Sequence, residues 1–329
     1  MDHGPLPPAR GGPLKERRLH RVGRWVGWLV LALALAFLAH AGWTYRQSLA
    51  GLDLGRGTLA VLLAGVVVYA ADGFLLSSAW LLLVRGLGEE AVPAAGHHRL
   101  FARSQIVKYL PGNVFHIAGR HALGRRQGVP HPVLLGATAY EILGLLLAAS
   151  WIALVGYLPL GLPGEAGRER SVLVVGLMAL GAAVLATWVG SRLAGRFPGL
   201  PLLHVGAARL LASVAVYSVF FLVAGLPLIL LAMNLAGGVA GTALVTLTAA
   251  FAISWIAGFI TPGAPAGAGV REATLVLLLA PIVGHATALA LSVLLRAVTL
   301  GGDLLFFLAS WLPPLATAGN AAEAGADSD

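Results

Sequence analysis

The sequence contains no cysteine, which removes disulfides, thiolate chemistry and cysteine metal sites from consideration. Charge is almost as scarce, at 11% of 329 residues. From Leu210 to Val270, 61 consecutive residues include no Asp, Glu, Lys, Arg or His. Nucleotide-binding loops are missing too, which argues against direct use of ATP and implies no cofactor. His116 and His121 are five apart, off-register for one helix face and without an acidic cluster, so no metal is expected there. What is abundant is apolar: 58% of residues are hydrophobic and the mean hydropathy is +0.85. A soluble globule could not be covered with so little polar surface. The reading is an all-α polytopic membrane protein with about six to eight spans, at about 20 residues per crossing.

Charge-free windows place spans at about 25–45, 58–84, 131–158, 171–190, 209–234 and 283–312. Between the last two lie an apolar segment at about 238–261 and a helical piece at about 265–281. Residues 1–24 form a basic segment, and an uncleaved first helix is expected although Ala39 to Ala41 resembles a signal cleavage site. Residues 25–315 read as one transmembrane domain with repeat units at about 58–158 and 209–312. Residues 316–329 read as a disordered acidic tail. Net charge is +8. Six basic residues precede position 25, seven lie in 85–126 and three in 191–209, which places those stretches and the N-terminus in the cytoplasm. Such a distribution suits anionic lipid and a membrane surface, not nucleic acid. Arg99, Arg103 and Lys108 would hold lipid headgroups at that surface, or simply form a solvated face.

Two stretches stand out. Residues 110–122 read LPGNVFHIAGRHA and residues 261–273 read TPGAPAGAGVREA. Both fit P-G-x7-R-x-A, pairing Pro111, Gly112, Arg120 and Ala122 with Pro262, Gly263, Arg271 and Ala273. Pro-Gly stops a helix and permits another to start. A break inside a membrane is tolerable only where protein or a water-filled cavity satisfies the backbone. The restarted helix offers free N–H groups to an anion, with Gly267 and Gly269 allowing close approach and Arg271 adding a guanidinium. The plain alternative is a loop between two ordinary spans. With three spans between them, the two units would have opposite topology, an inverted repeat with two re-entrant hairpins, as in transporters.

The stretch PGAPAGAGVREATLVLLL with Arg296 after it, together with YLPG, GR and YE at residues 109–141, resembles the lysylphosphatidylglycerol synthase transmembrane region, a flippase-like family. The resemblance covers roughly residues 20–315. It implies an integral protein of a bacterial cytoplasmic membrane, associated with moving lipid between leaflets. In the synthases a soluble aminoacyl-transferase follows this region; nothing after residue 315 matches one, so synthase activity is not carried over.

The expected function is a lipid flippase or transporter holding an anionic phospholipid or a polyprenyl-phosphate-linked lipid. Arg271, Arg120 and Arg296 would bind phosphate, and Glu141 and Glu272 would neutralise them or take up a proton. Glu141 could equally pair with Arg120 or Arg296 in a structural lock, and Arg296 with Asp303, seven residues on. Asp72 is open to a proton-relay or a structural role. The alternatives are an intramembrane lipid-modifying enzyme, or an accessory subunit for envelope- or lipid-synthesis enzymes.

Overall fold

The computed structural model describes residues 43, 46, 55–88, 94–109, 114–157, 205, 207–236, 241–262 and 264–312. The expected spans at 25–45 and 171–190, the terminal segments, and Pro111, Gly112 and Gly263 lie outside the described residues. The chain is all-α: among the described residues it is about 90% helical with no strands. The helices are α1 (Arg56–Gly86), α2 (Ala94–Gln105), α3 (Phe115–Arg126), α4 (His131–Tyr157), α5 (Ala207–Leu235), α6 (Gly241–Ile260), α7 (Val270–Val283) and α8 (His285–Ala309). Two 3-10 turns interrupt the pattern, Ile106–Tyr109 after α2 and Pro265–Gly267 before α7.

Five helical segments are long and apolar enough to cross a membrane: 56–86, 131–156, 208–235, 265–283 and 285–309. The protein is therefore an integral membrane protein. Its outer surface agrees. On α1, Leu59, Leu63, Val67 and Phe74 are exposed at intervals of four, four and seven, one stripe along the helix. On α8, Val293, Leu300, Leu304 and Leu308 do the same. Such stripes suit a face turned to hydrocarbon, since no described residue covers their apolar side chains.

The charged residues sit instead on the inward faces. Asp72, Arg120, Glu141, Glu272 and Asp303 are all buried. α1 packs along α5 and α8, α4 along α6 and α5, and α7 between α6 and α8. Glycines set the closest approaches. A Cβ at Gly302 of α8 would lie 2.8 Å from the Tyr69 ring and 3.1 Å from the Ala70 amide of α1. That contact presses Tyr69 against the part of α8 that carries Asp303.

Three short helices complete the described fold. α2 and α3 have 12 residues each, and α7 has 14. At about 1.5 Å per residue these are about 18 and 21 Å long, against a hydrocarbon core of about 30 Å. Only by counting the preceding turn with α7 does 265–283 reach spanning length. That turn is a real break: Ala266 has φ 48° and ψ 31°, non-helical for an L-residue of right-handed helix. The two 3-10 turns touch each other, and α8 touches the first of them. Short helices thus flank both Pro-Gly stretches, and the 3-10 turns beside them are in contact.

Candidate functional site

The site is where these two tips meet α1 and α8. It is easiest to build from α7. Gly269 (φ 81°) ends the break, and Val270 opens the helix. Glu272, the third helical residue, reaches back so that the Gly269 N–H donates to its Oε2 at 2.5 Å. This is one half of a capping box, and it complements the positive end of the helix dipole. The backbone anion site expected at this helix start is therefore already filled by the protein's own carboxylate. Glycine serves a different end here as well. A Cβ on Gly267 would sit 2.7 Å from the Gly258 Cα, and one on Gly258 would sit 2.5 Å from the Arg271 Cγ. Gly258 and Gly267 let α6 and the turn meet and leave a channel for the arginine stem, not room for a headgroup.

Arg296 of α8 ties the second turn down. Its Nη1 donates to the Ala266 carbonyl at 3.2 Å and its Nη2 to the Pro265 carbonyl at 3.5 Å. Its Nε lies 3.5 Å from Glu272 Oε1. Asp303, two turns further along the same helix, ties the first turn. Its Oδ2 accepts from Lys108 Nζ at 2.8 Å and from the Tyr109 hydroxyl at 2.5 Å. Thus α8 grips both breaks, one through a cation and one through an anion.

Arg271 is treated differently. Among the described residues it has no hydrogen bond or ion pair, and its Nε is buried without a partner. It packs with its guanidinium carbon 5.8 Å from the centre of the Trp255 ring, which stacks on Phe259. Its electrostatic neighbours are Tyr69, Arg296, Glu272 and Tyr109, and Lys108 feels its charge. Three cations (Lys108, Arg271, Arg296) therefore converge with two carboxylates (Glu272, Asp303), both of them engaged by the other cations. Asp72, one turn from Tyr69, pairs with none of these cations; both of its oxygens are buried without a partner.

No protein-family model matches the chain, and no curated protein sequence matches it.

Arg120 and Glu141 are brought to each other, not to this group. Arg120 Nη1 contacts both Glu141 oxygens at 2.6 and 2.5 Å, Nε reaches Ser104 Oγ at 3.4 Å, and Nη2 reaches Gln105 Oε1 at 3.2 Å. The guanidinium also lies 3.8 Å from the Phe101 ring centre. Every nitrogen of this side chain has a protein partner. Of the pairings left open by the sequence, Glu141 takes Arg120 and not Arg296, and the expected Arg296–Asp303 pair is replaced by two others, Arg296 with Glu272 and Asp303 with Lys108.

The basic trio divides. Lys108 turns inward to Asp303, whereas Arg103 lies 4.3 Å from the Trp311 ring centre and donates to the Ser310 carbonyl at 3.4 Å. Arg99 remains partly exposed on α2. Pro262 is exposed beside the second turn. His116 and His121 do not converge; the nearest ring to His121 is His131, with Nε2 and Nδ1 2.5 Å apart. Among the described residues no group of three or more His, Asp or Glu could hold a metal.

Sequence reasoning overlooked Tyr69, Tyr109 and the inward role of Lys108. Tyr109 adjoins the first Pro-Gly, and that adjacency was the available signal. Tyr69 carried none, since its place depends on the Gly302 contact.

Proposed function

We propose that the protein is a lipid flippase or transporter of a bacterial cytoplasmic membrane, with its N-terminus in the cytoplasm. It binds the phosphate of an anionic phospholipid or polyprenyl-phosphate-linked lipid where the two helix breaks meet. The observation that carries this reading is Arg271, half-buried with its Nε enclosed, and with no hydrogen bond or ion pair to an acid among the described residues. An uncompensated charge at such depth is costly, and in membrane segments it marks a ligand or ion path. A phosphate would supply the missing anion and accept a bidentate pair from the fork.

Two features support transport over simple binding. The site lies at the contact of two broken-helix hairpins carrying the same P-G-x7-R-x-A pattern, the arrangement expected of inverted repeats around a midplane site. And among the described residues the polar ties from α8 to each turn are made by side chains, Arg296 to the second and Asp303 to the first, ties that can be exchanged without breaking backbone hydrogen bonds. The resemblance to the synthase transmembrane region points the same way.

The test is leaflet exchange of headgroup-labelled phosphatidylglycerol in liposomes holding the purified chain. Arg271→Ala is expected to slow exchange at least about tenfold, from the loss of one charge-assisted contact. Exchange at the wild-type rate in folded Arg271→Ala would sink the reading, and chemically altered lipid would point to an enzyme.

A further inference from the structure

Asp303 has no obvious part in holding an anion, since a carboxylate repels one. Yet it sits at the centre of the site, buried, with its Oδ2 accepting from two donors on the first turn. Of those donors, Lys108 meets Asp303 as an ion pair, on a turn that touches the second turn, which Arg296 holds. Tyr109 is neutral and makes a second, independent hydrogen bond to the same oxygen. If Lys108 were drawn away, Asp303 would still keep the Tyr109 hydroxyl, so the exchange leaves the carboxylate a hydrogen-bonded group. With Asp303 in place, Lys108 is neutralised locally, Arg296 is matched by Glu272, and Arg271 alone is left over.

We infer that Asp303 is a specificity-determining residue: an internal anion that competes with the ligand for Lys108 and so restricts the site to headgroups bearing a single negative charge. A phosphodiester satisfies Arg271 and leaves the Lys108–Asp303 contact intact. A phosphomonoester, with up to two charges, gains its second cation only by displacing Asp303 from Lys108. This inference rests on the reading of Arg271 as the phosphate ligand.

The experiment measures binding of two short-chain lipids to the full-length protein in detergent at about pH 8, where a phosphomonoester carries close to two charges. The probes are dihexanoyl phosphatidylglycerol, a phosphodiester, and dihexanoyl phosphatidic acid, a monoester. Asp303→Asn, which keeps an acceptor for Tyr109, is expected to raise the affinity for phosphatidic acid relative to that for phosphatidylglycerol about tenfold over wild type. Lys108→Gln added to it is expected to abolish that gain. If Asp303→Asn does not fold, the wild type decides: it should bind phosphatidylglycerol at least as tightly as phosphatidic acid, because Asp303 withholds Lys108 from the ligand. Should Asp303→Asn leave that ratio at its wild-type value, or should the wild type prefer phosphatidic acid, the inference is overturned. Arg271→Ala runs in parallel. Loss of both lipids in that variant keeps the phosphate-site reading standing whatever Asp303 does, whereas unchanged binding removes the reading itself.

Discussion

Arg120 and Arg271 occupy matching places in the two Pro-Gly patterns, yet their surroundings give them different tasks. Arg120 has a bidentate carboxylate, a hydroxyl, an amide and an aromatic face around it. Arg271 has aromatic rings, another cation, and a carboxylate, Glu272, that is engaged elsewhere. The Arg120–Glu141 pair should therefore behave as a buried structural tie. Breaking one partner of such a pair costs about 3–5 kcal/mol, while replacing both with apolar residues of similar size is often neutral. Glu141→Ala is accordingly expected to lower the unfolding midpoint sharply in detergent. Arg120→Met with Glu141→Leu should recover most of it and retain measurable lipid exchange. If the double variant folds but exchanges no lipid, the pair takes part in transport after all.

At the level of elements, the short helices were legible only in outline. Sequence marked both breaks because Pro-Gly is local chemistry, and the start of α7 at Val270 follows from Gly269 and Glu272. What Glu272 does with its carboxylate was not legible. Nothing in a linear pattern says that the acid beside Arg271 would cap its own helix and meet Arg296, 24 residues on, leaving the arginine free. The inward turn of Lys108 was hidden for a similar reason: four- and five-residue spacing described α2 as if it ran unbroken, but a 3-10 turn rotates the final basic residue off that face. α2 also carries a testable pH response. His97 is fully buried, stacks on Trp80 with ring centres 4.3 Å apart, and has neither nitrogen hydrogen-bonded. Burial, and then the charges of His98, Arg120 and Arg85, push its pKa down to about 3. An unfolded histidine titrates near 6.5, so between those values the unfolded chain holds a proton that the folded one refuses. Stability is then full above about 6.5 and declines as pH falls, by up to about 1.4 kcal/mol per unit for this one group. Thermal unfolding at pH values about 7.5 and 5 should show a drop that His97→Phe reduces. An equal drop in both proteins would place the sensitivity elsewhere.

For the whole molecule, the hydrophobic windows located four of the five spanning-length segments among the described residues to within a few positions, because lipid imposes length and apolarity on each one separately; the fifth, 265–283, was read as a shorter helical piece. Where the spans put their charges relative to one another depends on packing, such as the Gly302 contact that sets Tyr69 beside Asp303, and no window reports that. The consequence that bears on function is access. On the proposed reading Arg271 lies within the protein at bilayer depth, and its buried Nε is what a lipid phosphate would meet. The chain has no cysteine of its own, so a single cysteine introduced there would report without background. In liposomes of zwitterionic lipid, Arg271→Cys should react slowly with a small charged maleimide, at least about tenfold more slowly than a cysteine on an exposed loop such as position 127. Rapid reaction from one side only, equal to the loop control, would mean that position 271 sits in bulk water. A buried anion pocket could not then exist there, however well the surrounding side chains were arranged to hold a phosphate.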